Sequence, residues 1–299
     1  MDEGLVTDVR RFNRLVTQRV GALRDHYLAR DRPLGQARVL WEIGQDECDV
    51  RSLRSRLDLD SGYLSRMLRS LEADGLITVG PGTDDKRVRT ARLTKKGAAE
   101  RALLDRRSDA LARSFLEPLS DTQRERLASA MTEVERLLTA ALVEIGVIDP
   151  AHRHAQHCLH EYYVELNRRF DSGFDPAVTR SVDLDEVRAP AGLFLVATLR
   201  SEPIGCGALK LHSALEPHGG DPAEIKRMWV AESARGLGVG RRLLAELEAR
   251  AAAAGCRAVR LDTNKALTEA IAMYHSAGYV EVDAFNDEPY ADHWFEKRL

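Results

Sequence analysis

The sequence predicts two domains of different class: a mostly helical first half, then an α/β half with a mixed, mainly antiparallel sheet. Three observations carry this reading. The chain has 299 residues, enough to bury two separate cores. Apolar residues recur at helical spacing through most of the first half. Glycine and proline are sparse there: residues 1–145 hold 9 Gly and 3 Pro, whereas the remaining 154 hold 12 and 7, so the breaks that strands and turns need fall mainly in the second half.

In the first half, helices are expected at Leu5–Tyr27, Val39–Ile43, Leu53–Leu57, Leu64–Leu71, Leu103–Leu119 and Leu127–Ile145. One hairpin interrupts them. Leu76–Val79 leads into the turn Gly80–Asp85, and Val88, Thr90, Arg92 and Thr94 then alternate. Helices around a single hairpin give a winged helix-turn-helix outline. From Gly146–Pro150 the pattern changes, with a helix at Gln156–Phe170 and strands at Leu193–Leu199, Ile204–Leu211 and Glu224–Val230. A helix Gly238–Ala254, a strand Val259–Thr263, a helix Leu267–Ala277 and two last strands complete the order. The expected domains are 1–147 and 148–299, joined by a short, stiff connection.

The net charge of −3 hides an uneven layout. Residues 51–107 carry 14 Lys+Arg against 8 Asp+Glu, a local excess that suits a polyanion despite the acidic total. Ser61 is read as an N-cap, with Leu64, Met67, Leu68 and Leu71 filling one helical face and Ser65, Arg66 and Arg69 on the other. Arg87 and Arg89 stand at the hairpin tip. The order Val50–Leu57, Asp60–Ala73, Gly75-Leu76-Ile77, Asp85-Lys86-Arg87-Val88-Arg89 and the helix restart at Leu93-Thr94-x-x-Gly97 resembles the MarR family of winged-helix regulators. That resemblance implies a homodimer paired through the first and last helices of this half, on a pseudo-palindromic double-stranded DNA site. The helix Ser61–Ala73 would lie in the major groove, and Arg87 and Arg89 would reach the minor groove.

In the second half the strand Glu224–Val230 runs into Arg235-Gly236-Leu237-Gly238-Val239-Gly240 and a helix carrying Leu243, Leu244 and Leu247 on one side. A strand, a glycine turn and a helix N-terminus converge several unpaired N–H groups on one point and favour an anion. Arg235 and Arg241 add full positive charges. The turn lacks the Lys-Ser/Thr of a P-loop, and antiparallel hairpins precede it where a dinucleotide-binding unit would open with βαβ. Arg235-x-x-Gly238-x-Gly240, the strand ends Met228-Trp229-Val230 and Asp262-Thr263-Asn264, and Ala270-x-x-x-Tyr274-x-x-x-Gly278-Tyr279 together resemble the GNAT acetyltransferase superfamily.

That second resemblance implies acetyl-CoA held by Met228, Trp229, Val230, the stretch Arg235, Gly236, Leu237, Gly238, Val239, Gly240, Arg241, and Asn264. It implies Tyr274 as the proton donor to the departing thiolate, with a small amine or amino-acid-like acceptor. Glu224, on the strand beside the acetyl group, is read as the base, acting directly or through a water, with a structural ion pair to Lys226 or Arg227 as the alternative. Tyr162, Arg169, Phe170, Asn286, Tyr290 and His293 fall where the family builds its acceptor pocket. A regulator that binds acetyl-CoA as an effector without turnover is the alternative. His152, His154, His157 and His160 lack a completing carboxylate or Cys and are not read as a metal site. Scattered cysteines, with no leader-like start and no apolar run of ~18 residues, lead to the expectation of a reduced cytoplasmic setting with no membrane span.

Overall fold

A computed structural model describes residues 2–23, 27–29, 31–44, 46–83, 85–171, 173–178, 184–211 and 222–299. The chain divides into two compact units between Ser129 and Ala130.

The first unit opens with α1 (Glu3–Arg19), which stops eight residues short of the expected Tyr27; Tyr27–Ala29 is instead a 3-10 turn. Then come α2 (Leu34–Ile43), β1 (Cys48–Asp49), α3 (Val50–Leu57), α4 (Ser61–Ala73), β2 (Ile77–Pro81), β3 (Arg89–Leu93) and α5 (Lys95–Leu116). Asp58, in a left-handed conformation (φ 50°), turns the chain between α3 and α4. Asp60, and not Ser61, caps α4, its carboxylate accepting from the Tyr63 N–H at 2.8 Å. Leu64, Met67, Leu68 and Leu71 are buried against Val39, Leu40 and Leu53, as the apolar spacing requires. The hairpin pairs Ile77 with Leu93 through Pro81 with Arg89, and β1 adds a third strand to it. Of the expected turn, Asp84 lies outside the described residues.

The helix expected to reach Ile145 ends sooner. Helix α6 spans Asp121–Ala141, and Val143–Val147 is a strand, β4, paired antiparallel with β5 (Gly192–Leu199). Gly146 and Val147, expected in a joint, are therefore part of a sheet. That sheet is completed by β6 (Glu202–Lys210), β7 (Ala223–Val230), β8 (Ala258–Thr263), β9 (Val280–Val282) and β10 (His293–Arg298), in the order β4-β5-β6-β7-β8-β10-β9. Among the described residues only β7 and β8 run parallel; every other pairing there is antiparallel.

Helix α7 (Arg153–Arg169) packs on one face of the sheet and α8 (Val239–Ala253) on the other, with α9 (Thr268–Ser276) beyond. The strand alternation divides the faces: Phe194 and Val196 meet the Ala155/Cys158 side of α7, while Leu195 and Ala197 meet Leu243, Leu244 and Leu247 of α8. On β7 this alternation breaks. Ile225 joins the α8 core and Trp229 the α7 core, although a separation of four would keep both on one face. An extra residue explains it: Cys206 pairs with Trp229 but Ala208 with Lys226, and Arg227 sits at φ 57° in the resulting bulge. Opposite the bulge stands Gly207, where a Cβ would come within 2.7 Å of the Met228 sulfur.

Candidate functional site

The parallel pair β7–β8 is joined only at Ala223–Val259 and Glu224–Arg260. Beyond those residues the two strands share no ladder, and a cleft opens between their C-terminal ends. It holds two cavities. The larger, about 560 Å³, is lined by Met228, Trp229 and Val230 of β7, by Arg235, Gly236, Gly238, Val239, Gly240 and Arg241, and by Ala270, Met273 and Tyr274 of α9. The smaller, about 100 Å³, is lined by Lys226, Arg227, Asp262, Asn264, Glu288 and a group of aromatic rings. Tyr162, Met228 and Tyr274 line both.

The glycine loop has the geometry of an anion site. Gly236 (φ 83°) and Gly238 (φ 76°) are both left-handed, and a Cβ on either would meet no protein atom within 4 Å. Glycine is thus demanded by the backbone turn, with open cavity on the side where a side chain would project. Gly238 caps α8, whose first N–H groups have no partner one turn back and are left for a ligand. Nearby, Glu165 of α7 gathers three donors: Trp229 Nε1 at 3.0 Å, Arg235 Nη2 at 2.5 Å and Arg169 Nη1 at 3.3 Å. Arg235 is therefore fixed beside the loop by an ion pair that the sequence did not reveal. Leu237 packs into the α8 core instead of lining the cavity.

Tyr274 is 4% exposed, its ring tilted against those of Tyr279 (5.8 Å) and Phe295 (5.9 Å). Burial first, then the neighbouring Tyr162 and Asp262, push its hydroxyl well above the usual tyrosine value, so it stays protonated throughout the neutral range. Burial likewise pushes Tyr162 up to about 12, against the pull of Arg227.

The smaller cavity is polar at one side and aromatic at the other. Phe170, Phe174 and Tyr290 lie 5.0–5.9 Å apart, and the Tyr290 hydroxyl accepts from the Asp175 N–H at 3.0 Å. Glu288 is shifted upward by burial and by the charge of Asp262. Lys226 bridges Asp262 and Glu224, the latter at 3.2 Å; burial alone would lower its pKa, but these two carboxylates outweigh that and raise it. The Arg227 guanidinium lies over the rings of Tyr162 and Tyr163, at 5.8 and 5.2 Å.

Of the residues expected to bind acceptor, Tyr162, Phe170 and Tyr290 line this cavity. Arg169 does not: it lines the larger cavity and is held by Glu165, Glu269 (2.7 Å) and the Ala266 carbonyl (2.8 Å). Asn286 sits behind the cavity, bonded to Asp262 (3.0 Å) and Trp294 (2.8 Å), and His293 faces Glu281 at 2.6 Å. Asn264, expected at the cofactor, lines the smaller cavity and donates to the Tyr290 carbonyl at 2.8 Å. Glu224 lines neither cavity. Glu288, Asp262, Lys226 and Phe174 were missed because they reach the site from four separate segments.

The first unit carries a basic concavity of about 310 Å³ lined by Ser61, Ser65, Arg87 and Arg89, and by Arg51 and Arg54 of α3, which sequence reasoning passed over. Arg66 lies over the Tyr63 ring at 5.7 Å and Arg69 Nε donates to the Ser65 carbonyl at 3.3 Å, both exposed on the outer face of α4. Among the described residues no group of three or more His, Cys, Asp or Glu could hold a metal ion, and no helix is long and apolar enough to cross a membrane.

Residues 159–279 match the model of the Acetyltransferase (GNAT) family, and residues 33–88 that of the MarR family. Over 121 residues, 40% of this chain and 76% of the relative, the chain is 36% identical to the IAA acetyltransferase of Azospirillum brasilense. Among solved structures, an acetyltransferase from Streptococcus agalactiae is 18% identical, with a TM-score of 0.43 over 53% of this chain and 99% of that one. A "probable transcriptional regulator" from Pseudomonas aeruginosa is 23% identical, with a TM-score of 0.38 over 44% and 98%. A winged helix-turn-helix unit thus precedes an α/β acyltransferase unit in one chain. The chain belongs to the GNAT acetyltransferase family, with a MarR family domain ahead of the catalytic one.

Proposed function

We propose that the protein transfers the acetyl group of acetyl-CoA to the nitrogen of a small amine or amino-acid-like acceptor, and that its first unit binds a pseudo-palindromic DNA site as a homodimer. The observation that carries the catalytic reading is the position of Tyr274, a buried and protonated tyrosine that lines both the larger and the smaller cavity. A donor thioester in the first and an amine in the second would meet beside it.

The residues present suit such a donor. The left-handed glycines and the start of α8 offer N–H groups to a diphosphate, and Arg235 and Arg241 add charge. Where β7 leaves β8, its backbone donors are free to polarise the thioester carbonyl. Attack by the neutral amine forms the C–N bond as the C–S bond breaks. Tyr274 gives its proton to the leaving sulfur, and the proton shed by nitrogen restores the phenol through solvent, so one proton moves in net from nitrogen to sulfur. Glu288, with its raised pKa and its place in the acceptor cavity, is the carboxylate that faces the amine; Glu224 acts behind it, holding Lys226. Turnover then rises with pH as Glu288 loses its proton, and Glu288→Gln removes that rise while Glu224→Gln preserves it.

The deciding experiment is a screen of amines and amino acids for CoA release by the full chain. Release with one acceptor class supports the reading, whereas tight acetyl-CoA binding with no release across the screen supports an effector role.

For the first unit, Arg66 and Arg69 project from α4 where base edges would lie, and Arg87 and Arg89 from the hairpin where phosphates would. Arg66→Ala is expected to weaken operator binding by about 1–3 kcal/mol and to relax base preference at one position per half-site. Arg87→Ala should weaken specific and random DNA alike and flatten the salt dependence. Equal loss on both DNAs for Arg66→Ala would refute its readout role.

A further inference from the structure

The acetyl-CoA reading assigns the diphosphate to the Arg235–Gly240 loop. A further cation reaches the same cavity from a segment outside the matched acetyltransferase region, residues 159–279. Arg136 stands in the last turns of α6, in the part of that helix that belongs to the second unit, and lines the larger cavity beside Arg235 and Gly236.

Its hydrogen bonds define what it can still do. Nε donates to Glu133 Oε2 at 2.9 Å and Nη2 to Glu133 Oε1 at 2.6 Å, a bidentate fork one helical turn back. Nη1 donates to the Gly236 carbonyl at 2.6 Å. A guanidinium carries five N–H bonds, so one hydrogen on each terminal nitrogen remains, and the side chain is 46% exposed. The fork fixes the plane of the group, and the bond to Gly236 places it against the left-handed turn where the loop offers its own donors. A second tie keeps α6 in register: Arg242, in the first turn of α8, donates to the Ala140 carbonyl at 2.9 Å and to the Val143 carbonyl at 2.7 Å. The end of α6 and the start of α8 are thus pinned together beside the loop.

We propose that Arg136 is part of the donor site and binds the phosphates of the ADP half of acetyl-CoA, so that the complete site requires α6 as well as the acetyltransferase fold. The proposal rests on the acetyl-CoA reading. Glu133 plays a double part: it orients the guanidinium while offsetting its charge. Neutralising Glu133 leaves Arg136 in place and makes the site more attractive to an anion.

The test is calorimetric titration of the full chain with acetyl-CoA at several NaCl concentrations, alongside kinetics with S-acetylpantetheine, a donor lacking the ADP half. Arg136→Gln should weaken acetyl-CoA by about tenfold or more, with a shallower salt dependence, and Arg136→Glu should weaken it further. Both should leave kcat/KM for the truncated donor unchanged. Glu133→Gln should tighten acetyl-CoA by about two- to fivefold. Unchanged affinity in Arg136→Gln overturns the proposal. So does equal loss on both donors with the wild-type salt slope, the result expected if Arg136 only braces the loop. Wild-type protein that binds no acetyl-CoA would bring down the donor reading itself, a different failure visible before any variant is made.

Discussion

Tyr274→Phe is expected to lower kcat by about 10²–10⁴ while leaving the dissociation constant for acetyl-CoA near its wild-type value, because a positioned proton donor acts on the departing thiolate and not on the bound donor. The substitution is unusually clean here. The ring keeps its packing against Tyr279 and Phe295, and only the hydroxyl is removed. Thermal unfolding should therefore hardly change. The pH profile offers a separate check. Since the hydroxyl is pushed above its ordinary value of 10.0, it remains protonated as pH rises through that value, and the wild-type rate should show no loss there that Tyr274 could explain. Turnover unchanged in the variant would remove Tyr274 from the mechanism.

The second large effect is expected at Gly238. Valine there must adopt a left-handed backbone (φ 76°), which costs an L residue roughly 1–2 kcal/mol and a β-branched one more. The protein itself would not block the new side chain, since nothing lies within 4 Å of the added Cβ. The methyl groups instead project into the open side of the loop, where a diphosphate must approach. Gly238→Val should therefore abolish acetyl-CoA binding with little loss of helical circular dichroism, and operator binding should persist. Wild-type affinity in this variant would mean that the loop merely starts a helix.

What the sequence could say about the site depended on how contiguous each part is. Strand β7, the glycine loop and the start of α8 follow one another, so their spacing carried the loop side of the larger cavity. The smaller cavity is assembled from α7, β7, the end of β8 and the segment before β10, and no local pattern joins Glu288 to Asp262 or Phe174. The bulge at Arg227 was hidden for another reason: one inserted residue moves Trp229 to the opposite face, and alternation read along the strand cannot register it. Capping shifted by one position, from Ser61 to Asp60, because the two are adjacent capping residues and either could accept from the Tyr63 N–H. The helix end was misplaced because Leu142, Val143, Ile145 and Val147 continue an apolar run that helix and strand periodicity share over so short a stretch.

Strand β4 has a practical consequence for anyone dissecting the chain. It is the terminal strand of its sheet, and it covers the outer hydrogen-bonding edge of β5 from Leu199 to Leu195. The strand beneath reads Gly-Leu-Phe-Leu-Val-Ala-Thr-Leu, uncharged along its whole length. Cutting the chain at residue 148, where the expected domain boundary falls, would strip that cover and leave a row of unpaired N–H and C=O groups on an apolar strand. Such an edge is a template for intermolecular pairing and aggregation. An excised catalytic fragment should therefore begin near residue 130, which retains β4 together with the last turns of α6, and the shorter fragment should self-associate where the longer one stays dispersed.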